Sequence, residues 1–155
     1  MTGLRIQLLG TFVATLDQQP LVKLSLKKAQ ALLIYLACHP EPHQRESLLL
    51  LLWSDMSQHA AQKNLRQTLY RLRQMIPKCP AAGNGRVVPL ILSDRHTVQL
   101  NPQADYQLDV HDFTNLLKAS KTHWPEALAL YRGDFLTDFF LSDSADFEEL
   151  SLIHI

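Results

Sequence analysis

The feature that most constrains this sequence is a helical stripe in the middle of the chain. Apolar side chains recur there at the spacing of one helix face, at Ala61, Leu65, Leu69, Leu72 and Ile76. Ser57 can cap the amino end of such a helix, and Pro77 stops it. The sequence therefore predicts an amphipathic helix over 57–76 whose apolar face docks on a core.

The opposite face of this helix carries cations and amides without a balancing acid. From Met56 to Ser93 there are six basic side chains and no Asp or Glu. A solvated surface helix is the alternative reading, but such helices usually carry stabilising Glu–Lys pairs. In DNA contacts, Arg and Lys neutralise phosphates or bind guanine, and Asn and Gln bond adenine. On this face we expect contacts to double-stranded DNA from Lys63, Asn64, Arg66, Gln67, Tyr70, Arg71, Arg73 and Gln74.

Charge is distributed unevenly along the 155 residues, although the formal net charge is +0. Residues 1–97 contain twelve basic and five acidic side chains, whereas residues 98–155 contain three basic and ten acidic ones. A basic first part followed by an acidic second part is typical of a nucleic-acid binder joined to a different module. We therefore divide the chain into a DNA-binding domain over 1–104 and a second module over 105–155.

The order of elements predicts an α+β fold. Strands are expected over 4–9, 11–16 and 21–24, followed by a helix over 27–38 capped by Ser25 and an apolar helix over 48–53. After helix 57–76, strands 87–92 and 97–100 form a hairpin, and further helices are expected over 109–120 and 125–131. This order is that of a winged helix-turn-helix with a leading antiparallel sheet and a hairpin wing near 93–96. Arg95 at the wing tip is a candidate DNA contact, and simple solvation of a turn is the alternative.

Several segments together resemble the SARP-type bacterial transcriptional regulators. In the first domain they are Leu4-Arg-Ile-Gln-Leu-Leu-Gly, Lys28-Ala-Gln-Ala-Leu-Leu-Ile-Tyr-Leu-Ala, Leu52-Trp-Ser-Asp and Asn64-Leu-Arg-Gln-Thr-Leu-Tyr-Arg-Leu-Arg. In the second module they are Asp109-Val-His-Asp-Phe, Ala129-Leu-Tyr-Arg-Gly-Asp-Phe-Leu and Asp146-Phe-Glu-Glu. The resemblance implies an OmpR-type winged-helix domain followed by a bacterial transcriptional activation domain built from helical repeats.

The resemblance also implies a function and its partners. Such regulators are activators that bind tandem direct repeats near promoters, where copies associate on DNA and contact RNA polymerase. By position, Arg66 and Arg71 are expected to hold phosphates, and Asn64 and Gln67 to contact bases. Only the first helices of the activation domain are present, and the apolar ending Ser151–Ile155 suggests a truncated gene, a frame change or an artificial boundary.

Other classes of function find little support in the residues. The chain has no Gly-rich phosphate loop and no nucleophile elbow, so we expect no enzyme and no cofactor. His39 and His43 are four residues apart, a spacing that could hold a metal if they lay on a helix. Pro40 and Pro42 argue against a helix there, and so against a metal site. With no signal peptide or long apolar run, the sequence predicts a cytoplasmic protein. The main rival is a protein-interaction module that does not bind DNA and docks partners through its acidic carboxy-terminal helices.

Overall fold

The computed structural model of the protein describes residues 3–21, 27–81, 86–119, 121–133, 135–136 and 147. These residues form a mixed α+β structure, as predicted, with one main hydrophobic core. The predicted Ser25 cap and the ending at Ser151–Ile155 lie outside the described residues. No helix in the described ranges combines the length and the apolar character that a membrane crossing requires.

The leading sheet contains β1 (Leu4–Gln7), β2 (Val13–Leu16) and β3 (Gln19–Pro20) in an antiparallel arrangement. The third strand was predicted to start at Leu21, but β3 already starts at Gln19, so the predicted start is wrong. Asp17 and Gln18 both adopt positive φ, which closes a two-residue hairpin turn and places Gln19 opposite Leu16. Residues 22–24 are outside the described part of the chain.

A fourth strand of this sheet was not predicted. β9 (Tyr106–Leu108) lies beside β1 and runs parallel to it, giving the strand order β3-β2-β1-β9. No element was predicted between strand 97–100 and helix 109–120. A three-residue strand has too little alternation to be recognised, and only its distant partner defines it. β9 lies just after the predicted domain boundary at residue 104, and that boundary remains a prediction.

Three helices pack beside this sheet: α1 (Lys27–Cys38), α2 (Arg45–Leu52) and α3 (Gln58–Met75). The predicted bounds of α1 are confirmed. Ala29, Ala31, Leu32, Leu33, Ile34, Leu36 and Ala37 are buried, so α1 is covered on most sides. α2 begins at Arg45 rather than Leu48, because the extended Gln44 ends a short strand there and acts as its N-cap. Glu46 in the first turn suits the positive end of the helix dipole.

Sequence periodicity correctly predicted the orientation of α3. Ser57 Oγ accepts a hydrogen bond from the Ala60 amide at 3.3 Å, which confirms the predicted N-cap. The five residues of the apolar stripe, Ala61, Leu65, Leu69, Leu72 and Ile76, are all buried. The helix ends at Met75, just before Pro77.

A hairpin follows α3, as predicted, but the first predicted strand is divided into two. β6 (Val87–Val88) pairs with β5 (Cys79–Pro80), whereas β7 (Ile91–Ser93) pairs with β8 (Thr97–Leu100). Pro89 between them has no amide hydrogen to donate to a strand ladder. The outer edge of β8 pairs with β4 (His43–Gln44), which completes a three-stranded sheet and joins the hairpin to α2.

After β9 come α4 (Asp109–Ala119), a short 3-10 turn at Lys121–His123 and α5 (Trp124–Leu130). Asp109 lies in the first turn of α4, where a carboxylate suits the helix dipole, and it also makes long-range hydrogen bonds. Its two carboxylate oxygens accept hydrogen bonds from the Leu8 amide at 2.8 Å and the Leu9 amide at 2.9 Å. After α5 the chain returns to the same place, where the Leu136 amide donates to the Leu8 carbonyl at 2.7 Å. We name residues 8–9, Asp109 and residues 135–136 the junction.

Candidate nucleic-acid interface

The polar face of α3 is open to solvent, as its periodicity predicts. Tyr70 retains 63% of its exposure, so its ring packs on no core. The other exposed side chains among the predicted DNA contacts on this helix are Lys63, Arg66, Gln67, Arg71, Arg73 and Gln74. Because the apolar stripe lies on the opposite side, these residues form one continuous polar surface rather than scattered positions.

The cations at the centre of this surface have no ion-pair partner in the part of the chain that the structure describes. No ion pair there involves Lys63, Arg66 or Arg71. A cation that has no intramolecular partner keeps its full attraction for a phosphate, since binding breaks no existing pair. The electrostatics therefore suit a polyanion better than a neutral or basic partner.

Asn64 differs from the other residues predicted on α3. It is half-buried, and its side-chain amide Nδ2 lies 3.0 Å from the Met56 sulfur, at the turn between α2 and α3. A thioether is a weak acceptor, so little free energy holds the amide there. The structure therefore places Asn64 at the edge of the polar surface, and a base contact by this residue would require its side chain to leave Met56.

The turn of the hairpin is held by its own aspartate. Asp94 Oδ1 accepts hydrogen bonds from the His96 amide at 2.8 Å and the Thr97 amide at 2.7 Å, and from the Thr97 hydroxyl at 3.2 Å. These bonds favour the ionised carboxylate, so they lower the pKa of Asp94. Arg95 projects from this ordered turn and is exposed. The predicted tip residue therefore stands on a fixed backbone.

Arg66 of α3 and Arg95 of the turn line a common cleft of about 600 Å³. Arg45, which was not among the predicted site residues, lines it as well. Its backbone amide donates to the His96 carbonyl at 2.8 Å, and its Nε donates to the Asp94 carbonyl at 2.9 Å. Glu46 is the one acidic residue in the described lining. The structure thus brings three arginine residues, from α2, α3 and the hairpin turn, to the lining of one cleft, which we name the arginine cleft.

Sequence reasoning missed Arg45 because nothing local distinguishes it. Arg45 precedes the predicted helix, which was expected to start at Leu48, so no element was predicted at this residue. Its position depends on the pairing of β4 with β8, where His43 faces Val98 and Gln44 faces Thr97. A two-residue strand has no periodicity, and prolines at 40 and 42 made the segment resemble a loop.

Arg73 occupies a separate place on α3. Its guanidinium Nη2 donates a hydrogen bond to the Ser93 hydroxyl, at the last residue of β7. The side chain is exposed, but its guanidinium is bonded to the hairpin. Arg73 therefore has a hydrogen-bond partner within the protein, although the sequence pattern grouped it with Arg66 and Arg71 as a DNA contact.

The cysteines and histidines considered next give no sign of a second site among the described residues. Burial raises the pKa of the Cys38 thiol to about 12, and burial also raises the pKa of Cys79, so both cysteines are poor nucleophiles. His43 packs against the Tyr35 ring, with centroids 4.9 Å apart, and its Nε2 lies 2.7 Å from the His39 carbonyl. In the ranges that the structure describes, no group of three potential ligands could hold a metal ion.

Comparison with known proteins adds a structural likeness. No protein-family model matches the sequence, and no curated protein matches it. The chain superposes with a TM-score of 0.72 on EmbR of Mycobacterium tuberculosis, a structure solved with a low-affinity phosphopeptide. The likeness covers 99% of this chain and 42% of the EmbR chain, at 20% sequence identity. At this identity the comparison establishes the fold alone, and this chain therefore has, over nearly its whole length, the α+β fold found in part of EmbR.

Proposed function

We propose that this chain is a sequence-specific DNA-binding transcriptional regulator of the SARP type. In this proposal α1 to α3 and the sheet β4-β8-β7 form an OmpR-type winged helix, with α3 as the reading helix and the hairpin as the wing. The proposal rests mainly on the uncompensated polar surface of α3, which continues into the arginine cleft. The motifs that resemble SARP-type regulators and the fold shared with EmbR both support it.

The residues divide by the chemistry they offer to DNA. Lys63, Arg66 and Arg71 are proposed to neutralise phosphates, while Gln67, Gln74 and Asn64 offer amides to base edges and Tyr70 offers a hydroxyl. Arg95 is proposed to contact the backbone or minor groove beside the reading helix. Arg45 joins this set because it lines the same cleft as Arg66 and Arg95.

The wider function rests on the sequence resemblance. We propose that the protein acts as an activator in the cytoplasm, that copies bind tandem repeats, and that the bound protein contacts RNA polymerase. The chain spans less than half of the EmbR chain that it resembles, so any further module of such regulators is outside the described structure. DNA binding is therefore the part to test first.

A selection experiment tests DNA binding directly. The purified chain is mixed with fragmented genomic DNA at two salt concentrations, and the bound fragments are sequenced. We expect a repeated short motif, with binding that weakens steeply as salt rises. The double variant Arg66→Ala/Arg71→Ala should bind this motif about ten- to a hundredfold more weakly and with a shallower salt dependence.

The matched control removes the same charge from another surface. Lys118 and Lys121 are exposed on the second module, and the Lys118→Ala/Lys121→Ala variant should retain most of the affinity. If no motif is recovered and the Arg66→Ala/Arg71→Ala variant behaves like the control, DNA binding is refuted.

The alternative function, a protein-interaction module, is favoured by a different observation. Four large apolar side chains stand exposed on α4, α5 and the residue after α5: Leu117, Trp124, Leu128 and Tyr131. An apolar partner interface would resist salt, whereas phosphate contacts do not. Failure of the DNA selection, followed by a salt-resistant complex with a protein partner, would therefore support this alternative.

A further inference from the structure

Two helices are bonded to the hairpin where its turn begins. The Arg45 guanidinium of α2 donates to the Asp94 carbonyl at 2.9 Å. The Arg73 guanidinium of α3 donates to the Ser93 hydroxyl, immediately before the turn. These two bonds connect α2 and α3 to adjacent residues of the hairpin. The turn therefore has external support in addition to the internal bonds of Asp94.

The spacing of residues on α3 explains why Arg66 and Arg73 both meet the hairpin. Seven residues span nearly two helical turns, so these side chains lie on the same side of α3 and roughly 10 Å apart along its axis. Arg66 lines the cleft beside Arg95, and Arg73 reaches Ser93 further along the helix. One arginine thus lies at the arginine cleft, while the other is bonded to the strand that leads into the turn.

We propose that Arg73 is a positioning residue, which fixes the wing through Ser93 so that Arg95 meets DNA in one orientation. This inference rests on the proposed DNA-binding function and refines it, because Arg73 then acts through Arg95 rather than through a phosphate of its own. Ordering the wing before binding reduces the conformational entropy that DNA binding would otherwise cost.

Ser93 offers a clean way to test this inference, since it carries no charge. Ser93→Thr keeps the hydroxyl. Ser93→Val introduces a side chain of the same shape as threonine but without the hydroxyl, and both Thr and Val suit a strand. We expect the Val variant to bind the selected DNA about three- to tenfold more weakly than the Thr variant, which corresponds to one net hydrogen bond. The salt dependence of binding should be the same for both variants, because no phosphate contact is lost.

Two double variants test whether the loss of affinity in Ser93→Val depends on Arg95 and on Arg73. In an Arg95→Ala background, Ser93→Val should cost no further affinity, since the residue that it positions is gone. In an Arg73→Met background, Ser93→Val should again have no effect, because the donor to Ser93 is missing. A direct phosphate contact by Arg73 would instead lower the salt slope by about one unit in Arg73→Met, and Ser93→Val would leave affinity unchanged. Either result would overturn the inference.

A measurement on the free protein keeps this test independent of DNA binding. Amide hydrogen exchange at residues 94–97 should be faster in Ser93→Val than in Ser93→Thr, with equal melting temperatures for the two variants. If the wild-type chain binds no DNA, the proposed function fails, but a difference in exchange still supports the Arg73–Ser93 link. Equal exchange in the two variants would remove the structural basis of the inference, even if DNA binding is established.

Discussion

The polar groups of the junction after β1 are satisfied inside the protein, whereas several cations on the outer face of α3 face solvent. Asp109 is 6% exposed, and its carboxylate accepts two backbone amide bonds from residues that lie far away in the sequence. On α3, by contrast, Lys63, Arg66 and Arg71 face solvent without a carboxylate partner in the described chain. Polar groups that hold the fold together are paired, and polar groups that remain unpaired are available to a ligand.

The sharpest contrast within one element is between neighbouring residues of α3. Leu69 is 1% exposed, whereas Tyr70 is 63% exposed. We expect Leu69→Ala to lower the free energy of unfolding by about 2–5 kcal/mol, because it leaves a cavity in the core. Tyr70→Ala should change that free energy by only about 0.5 kcal/mol but should weaken DNA binding. Urea denaturation and DNA titration of both variants measure the two effects.

The contrast between Leu69 and Tyr70 depends on two separate observables. If Tyr70→Ala destabilised the protein as much as Leu69→Ala, the polar surface would be part of the core and not a free face. If Tyr70→Ala left both stability and DNA affinity unchanged, the tyrosine would be removed from the proposed contacts.

The next largest effect is expected at the junction. Asp109→Ala leaves the amides of Leu8 and Leu9 buried without an acceptor, so we expect a loss of about 2–3 kcal/mol in the free energy of unfolding. Asp109→Asn keeps one carbonyl oxygen as an acceptor and should lose less. Denaturation curves of the two variants test this order, and DNA affinity measured where both remain folded should stay near that of the wild type. Equal stability of Asp109→Ala and the wild type would contradict the structural role.

The smallest expected effect is the pH dependence of the hairpin turn. Amide donors from His96 and Thr97 lower the pKa of Asp94 below its usual 3.8, since they favour the charged carboxylate. The support from Asp94 is therefore complete above that usual value and is lost as pH falls through the lower pKa of the folded state. Amide chemical shifts of His96 and Thr97, followed between about pH 6 and pH 2, should report this transition. The same amides in Asp94→Asn should show no such transition, and an identical titration there would assign it to another group.

Prediction from sequence succeeded where a pattern extends over several turns. The bounds of α1 and the buried stripe of α3 follow from apolar spacing alone, since an amphipathic helix repeats its signal every three or four residues. Prediction failed for β4 and β9, which are two and three residues long and exist only through their partners β8 and β1. The same limit applies to the site, because Arg45 and the Arg73–Ser93 bond depend on contacts between elements rather than on local sequence.

The parallel pairing of β1 with β9 has a consequence for how the protein is made. Leu4 pairs with Tyr106, and the Leu8 and Leu9 amides donate to Asp109. These contacts can form only after about a hundred further residues have been translated. At roughly 5–20 residues per second, a ribosome leaves that edge of β1 open for about 5–20 s. During this interval the nascent strand offers unpaired backbone groups to any neighbouring chain. Closure of the leading sheet is thus a step at which misassembly can occur during synthesis.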